Sequence, residues 1–564
     1  MNQAQAIKAN KTAVVATIAV LLFSFLGASN ASAAFWAVNE NTGFSSTNLL
    51  EAEGEDEFTL TNTNFGGVDN SQLVDTETGL NASDSNTGNG TTNSGNIGIG
   101  GGFANVFNSN DSSYENSWWE QMVVSGNDTT GASSFNEAEA EFENEVEVDQ
   151  TNTANLDNDI VVDANTGDNS ASTNTGTGDV KTGEADATTT EANVANGNIF
   201  SSTGSLPSSL FANMAKNITT GFDSDNDAES EVENDMDVDS TNTAMFANLS
   251  STILNTGKNV SDSNTGMGGV DSGNAEGNTS IANDANANAV DIEIVGDDDN
   301  SLAAVNDTTG AESTNDVETE VESDIDVDND NDAELTSKAT MNVNTGDNTS
   351  STNTGSGDVL TGNGEGNIMI SNGGSATGRF FNENTTSLMF TSSMFDLMAG
   401  NDTTGFMSDN DAEAELENEV DIVNDNDANV TNTATGTIET GLNASDSNTG
   451  NGKVDTGNAD AGVSIVNDLN VNQTTVQQMA VGMMVAGNDT TGASSTNDVE
   501  VEMENELTIT NTNDVTLVNT SVVDSSTGSN SSSFNTGSGS STTGNSSVLF
   551  GIINQGNGNF NLVQ

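Results

Sequence analysis

The chain has 564 residues, only 32% of them hydrophobic with alanine counted, and a formal charge of −79 from 87 acidic and eight basic residues. The length excludes a single small domain, the composition excludes ordinary cores packed from large side chains, and the charge argues against nucleic acid or an anionic membrane as partner. Cysteine and histidine are absent, which removes disulfides, the usual zinc sites, serine triads and cysteine nucleophiles.

At the amino terminus, Lys8 and Lys11 precede an apolar run from Thr12 to Ala28 and the triplet Ala31-Ser32-Ala33. This is the pattern of a secretory signal peptide removed after residue 33. An uncleaved membrane anchor is the alternative, because the run is close to the shortest that can span. No second apolar span follows, so the sequence predicts a secreted, extracellular, cell-surface protein without a membrane span after cleavage.

A marker then recurs as Asn127-Asp128-Thr129-Thr130-Gly131, Asn217 to Gly221, Asn306 to Gly310, Asn401 to Gly405 and Asn488 to Gly492, with a degenerate copy at Asn39 to Gly43. Read from first Asn to first Asn the spacings are 88, 90, 89, 95 and 87 residues. A fixed period of this kind is the signature of a repeat architecture. The predicted organisation is a signal peptide at 1–33, a degenerate first unit at 34–126, units at 127–216, 217–305, 306–400 and 401–487, and a terminal unit at 488–564.

Every unit begins with its marker and continues into a strictly alternating run. In 137–165, Ala138, Ala140, Phe142, Asn144, Val146 and Val148 take even positions, and Glu137, Glu139, Glu141, Glu143, Glu145, Glu147 and Asp149 take odd ones. Period two is the signature of a strand with one small apolar face and one carboxylate face. The alternation persists to Asn165, far beyond an ordinary strand, and a bend is expected at its inward Asn residues. Triplets such as Asn255-Thr256-Gly257 and Asn264-Thr265-Gly266 follow as corners, since Asn and Gly tolerate positive φ.

Units close in variable, more apolar segments, Trp118 to Val124, Leu210 to Met214, Ser387 to Met398 and Val476 to Val485. These read as plugs sealing one unit against the next, or as exposed contact patches. In the last unit Ser525 to Ser547 reads as a cap or a flexible tail.

Fold class follows from the apolar inventory. Tandem β-sandwich modules suit a period of about 90 residues, but from Asn165 to Gly183 only Ala171 and Val180 are clearly apolar, too few to fill the gap between two sheets. A parallel β-solenoid needs less, because inward Asn, Ser and Thr pair along the stack. The prediction is therefore an all-β, elongated, β-helix-like solenoid. With 20 to 30 residues per coil, each unit would hold three or four coils, the whole would be a rod on the order of 100 Å long, and equivalent acidic stripes would lie roughly 14 to 19 Å apart.

In its glycine corners and inward Asn and Ser, the repeated region resembles secreted β-solenoid surface proteins, including curlin-type fibre subunits and β-helical adhesins, and in acidity large surface-layer proteins. The unit is about four times a curlin repeat and lacks that family's regular Gln positions. The resemblance implies a cell-envelope or matrix role.

The acidic stripe recurs in every unit and holds nearly half of the 87 acids. Its candidate calcium-binding members are Glu137, Glu139, Glu141, Glu143, Glu145, Glu147 and Asp149; Asp223, Asp225, Asp227 and Glu229; Asp326, Asp328, Asp330 and Asp332; and Asp409, Asp411 and Glu413. Calcium takes six to eight oxygens of this kind; no EF-hand spacing is present, and a merely solvated, salt-adapted face is the alternative. The Asn-x-Thr sequons at Asn127, Asn217, Asn306, Asn401 and Asn488 are glycan acceptors or simply turn residues. The functional expectation is a non-enzymatic structural or adhesive surface protein whose partners are other copies of itself, envelope components or a host surface. Its rivals are a self-assembling amyloid-type matrix fibre and a β-helical polysaccharide-acting enzyme.

Overall fold

Where small inward residues alternate with acids, a strand has no local reason to stop before a corner. In the computed structural model, Phe135–Asn165 accordingly forms one strand of 31 residues. The structure describes residues 34–117, 122–205, 212–295, 301–373, 381–390, 396–477 and 483–564, and contains strands but no helix among them. The expected signal peptide, Arg379 and parts of the variable apolar segments lie outside the described residues.

Every ladder is parallel and joins a strand to its equivalent one repeat away, which builds five sheets running the length of the stack. The long sheet contains Thr47–Glu77, Phe135–Asn165, Asp225–Asn255, Thr314–Asn344, Glu413–Glu439 and Glu500–Ser526. Opposite it lie a return sheet, with strands such as Ala185–Ser205, and a short sheet, with strands such as Met122–Asp128. Two-residue and four-residue strands, Asn169–Ser170 and Gly178–Lys181 among them, form the corner between long and return sheets.

The solenoid is thus as predicted, but its coil is not. Asn152 pairs with Asn242 and Asn64 directly, so one whole repeat is one coil. Six flattened coils rise about 4.8 Å each, and the long dimension, about 100 Å, lies along the strands and not along the stacking axis. A period-two pattern carries no signal for where the chain turns back, so the alternation leaves the coil length open.

Nor does Phe135–Asn165 break at its inward Asn residues, although the equivalent strands of the last two coils are interrupted after Asn410 and Asn497. The irregularity is on the return sheet, where Asn108, Asn196, Asn286, Asn382 and Asn470 adopt φ between 52° and 59° and Asn196 is skipped in the ladder between Ala195 and Gly197. Each bulge residue reaches over the core to a backbone carbonyl of the long sheet, as Asn196 does to Thr243 at 2.7 Å and Asn108 to Thr153 at 2.6 Å. The first corner triplet behaves as expected, since Gly167, Gly257 and Gly346 have φ of 86° to 91° and stack closely, whereas at Asn264-Thr265-Gly266 the positive φ falls on the preceding residue, Ser263, at 59°.

Between the facing sheets the core divides into three apolar cells and a fourth at the corner. Phe142, Val146 and Val148 pack with Val123, Phe200 and Ala215; Ala154 and Leu156 with Ala195; Ile160, Val162 and Ala164 with Ala185 and Ala187; Ala171 and Val180 close the corner. Described parts of the variable segments, including Val123, Leu388 and Leu397, lie inside the first cell. They fill the coil and do not seal one unit against another. Ser525 to Ser547 is neither cap nor tail, because Asn530–Ser531 and Gly539–Thr542 repeat the corner of the preceding coil.

Two walls of asparagine separate the cells. Asn152 donates to Asn198 across the core at 2.7 Å and to Asn242 one coil on at 3.1 Å; Asn158 does the same to Asn193 at 3.0 Å and Asn248 at 2.9 Å. Buried amides are tolerated only when paired, each bond contributing about 1 kcal/mol net. The sequence placed Asn inward on one strand but did not show that Asn from the return strand would meet it.

Candidate functional site: the acidic face

Outward side chains of the long sheet form a two-dimensional array of carboxylates. Glu51, Glu139, Glu229, Glu318, Glu413 and Glu500 occupy one column along the axis; Glu53, Glu141, Glu231, Glu320, Glu415 and Glu502 occupy the next. Glu143 stacks between Glu55 and Glu233, and Glu145 between Glu57 and Asp235. Glu147 adjoins Asp237, and Asp149 adjoins Asp239. Asp326 follows Asp237 and precedes Asp421; Asp330 and Asp332 pair with Asp425 and Asp427.

Not every predicted member joins this array. Asp223 lies in the turn, with φ of 57°, and accepts a hydrogen bond from Ser133 at 3.3 Å. Asp225 sits between Phe135 and Thr314, and Asp409 between Thr314 and Thr496, so neither has an acid beside it in its column. Asp328 is followed by Val423. Glu137 continues into Asp227 and Asp316, next to which Asp411 contributes a like charge.

Stripes expected to be screened from one another are therefore immediate neighbours. Axial spacing of about 4.8 Å is well inside a Debye length of about 8 Å, and each axial pair repels by about 0.9 kcal/mol even at the dielectric constant of water. Partial burial, followed by Glu318, Glu139, Asp227 and Glu231, pushes the Glu229 carboxyl up to about 7. Burial and then Asp316 and Glu137 push Asp227 up to about 6, and burial with Asp239 and Asp326 does the same to Asp237. The same causes raise Glu139, Glu141, Asp326, Asp328, Asp330 and Glu413.

No described lysine stands within these columns. Lys181 pairs with Asp271 at 3.7 Å and Lys453 with Asp455, both in the corner sheet of four-residue strands. Among the described residues, no three acidic side chains converge as a closed metal site; the oxygens are arranged in open rows. These rows can hold counter-ions between neighbouring columns, without a fixed coordination shell.

Other predicted features take definite places. Asn127, Asn217 and Asn306 are fully buried in a ladder of their own, Asn127 donating to Asn217 at 3.0 Å and Asn217 to Asn306 at 3.0 Å. They are strand residues just before the turn, and their buried side chains are out of reach of glycosylation. A cleft of about 560 Å³ crosses successive coils of the return sheet, lined by Thr189, Thr279, Ile368, Val463 and Phe550 with no titratable side chain.

One buried acid escaped the sequence reading. Glu191 is fully buried among column mates Phe103, Ile281, Ile370 and Ile465, and both its carboxyl oxygens lack hydrogen-bond partners. Burial, with Asp159 as the lesser cause, pushes it up to about 8. Its position on the inward parity after Ala185, Ala187 and Thr189 was the available signal.

The fold and its outward acids define a parallel β-solenoid with one continuous carboxylate face. No protein-family model, no curated protein and no solved structure matches the chain.

Proposed function

We propose that the chain is a secreted structural or adhesive protein of the cell surface, a broad acidic plate whose carboxylate face collects calcium. The observation that carries this reading is the stacking of acids in adjacent coils without a lysine among them, a concentration of charge that invites a hard divalent cation. Secretion is supported by the amino-terminal pattern, Lys8 and Lys11 followed by the apolar run from Thr12 to Ala28 and Ala31-Ser32-Ala33. Its partners would be envelope or host-surface components, and the role is non-catalytic: acids lie in an open, regular array, and the described cleft offers no acid–base group.

Thermal melting against calcium and against sodium at matched ionic strength tests the calcium reading. Calcium should raise the melting temperature well beyond sodium, and EDTA should reverse the effect. Equal curves for the two salts would reduce the face to a screened, solvated surface.

A further inference from the structure

Both ends of the stack are open among the described residues. Among the described residues nothing pairs with the outer edges of Thr47–Glu77 and Ile97–Ser117 in the first coil, or of Glu500–Ser526 and Ser546–Val563 in the last. Unpaired edges of this length are templates for another chain, and four independent features of these two edges fit each other. We propose that copies of this chain stack head to tail, the last coil of one on the first coil of the next, in the same register that joins coils within a copy.

The first feature is continuity of the Asn columns. In that register Asn497 falls on Asn48 and Asn513 on Asn64; on the return sheet Asn554 falls on Asn105 and Asn559 on Asn110.

A second is the direction of these ladders. Side-chain nitrogens donate towards the carboxyl-terminal coil throughout: Asn64 to Asn152, Asn242 to Asn331, Asn426 to Asn513, and Asn110 to Asn198, Asn472 to Asn559. The last coil therefore presents donors and the first presents acceptors. Head-to-tail contact satisfies both, whereas head-to-head or tail-to-tail contact opposes like with like.

Third comes size. Met503 and Phe550 are 51% and 52% exposed at inward positions where Leu416 and Val463 of the preceding coil are each 4% exposed. In the first coil their column positions are Gly54 and Gly101. Each large side chain of the tail thus meets a glycine of the head.

Charge supplies the fourth. The column of Glu147, Asp237, Asp326 and Asp421 ends in Thr59 at one edge and Thr508 at the other. The next column, containing Asp149, Asp239 and Asp328, ends in Thr61 and Thr510. Neutral threonines therefore meet where inner coils carry acids. Glu51, Glu53, Glu55 and Glu57 still meet Glu500, Glu502, Glu504 and Glu506, so stacking should strengthen with ionic strength. A heterologous contact of this kind does not close and extends into a filament.

The absence of cysteine allows a direct test, independent of calcium. Thr59 and Thr508 lie five coils apart in one copy, about 24 Å, too far for an internal disulfide, but become ladder neighbours at a junction, where a bridge is feasible. Full-length T59C and T508C are mixed in EDTA and 0.5 M sodium chloride and oxidised. The expected result is a cross-linked dimer in the mixture at least about tenfold above either variant alone, and filaments with a repeat of about 29 Å in electron micrographs of the unsubstituted chain. A mixture that cross-links no better than T59C alone, or T508C alone doing equally well, overturns the proposal. Adding G54E to T59C, which places a charge opposite Met503, should abolish the cross-link; retention of the cross-link would also overturn it.

Discussion

Asn152 and Asn242 occupy one column of successive coils, and the side-chain nitrogen of the first donates to the side-chain oxygen of the second at 3.1 Å. Asn242 in turn donates to Asn288 at 2.7 Å and Asn331 at 3.0 Å. Replacing Asn242 with Leu removes partners from Asn152, Asn198, Asn288 and Asn331 while leaving all four buried. The expected loss is about 2–4 kcal/mol, read as a lower denaturation midpoint. An outward Thr241→Ala in the same strand should change it by less than about 0.5 kcal/mol.

Raised carboxyls set the pH dependence. Because Glu229 is pushed up to about 7, and Asp227 and Asp237 to about 6, the folded chain binds more protons than the unfolded one between their ordinary values and these. Stability is then fully present near pH 4 and is lost as the pH rises through 6 and 7. In EDTA the melting temperature should fall by several degrees from pH 5 to pH 8, and a rise over that interval would contradict the stacked array.

Removing one charge at the centre of the array should stabilise. Glu229→Gln relieves repulsion from Glu139 and Glu318, each worth about 0.9 kcal/mol in water before screening. Melting in EDTA at pH 8 should shift upwards by the equivalent of about 1 kcal/mol, and the response to calcium should shrink.

Glu191→Ile should also stabilise. Its column mates Ile281, Ile370 and Ile465 already fit the site, and the substitution removes two unpartnered buried oxygens. A gain of about 1–3 kcal/mol is expected, increasing as the pH rises from the ordinary carboxyl range towards 8 and levelling off above it, where the carboxyl is ionised in both folded and unfolded chains.

At the corners, Gly257→Ala should be severely destabilising. Gly257 has φ of 86°, and an added Cβ would come within 2.0 Å of the Gly167 carbonyl oxygen. Poor expression or a melting temperature lowered by more than about 10 °C is the expected outcome, since coils cannot separate locally without breaking ladders on both sides.

Strand character, inward and outward faces, six units and glycine corners were legible in the chain itself, because alternation and positive-φ residues act within a few positions of one another. Glu139 and Ala140 carry their facing directions in their parity alone. Coil length, the meeting of Asn152 with Asn198, and the column joining Glu139 to Glu229 depended on which distant segment folds back on which, and period-two sequence is silent on that. Only the tertiary arrangement decided that one repeat is one coil, and with it that the acids would stand a single strand spacing apart. The physical reason is that facing is a local consequence of backbone geometry, whereas register between segments some 45 and 90 residues apart is selected by matching asparagine walls, apolar cells and bulges over the whole coil at once.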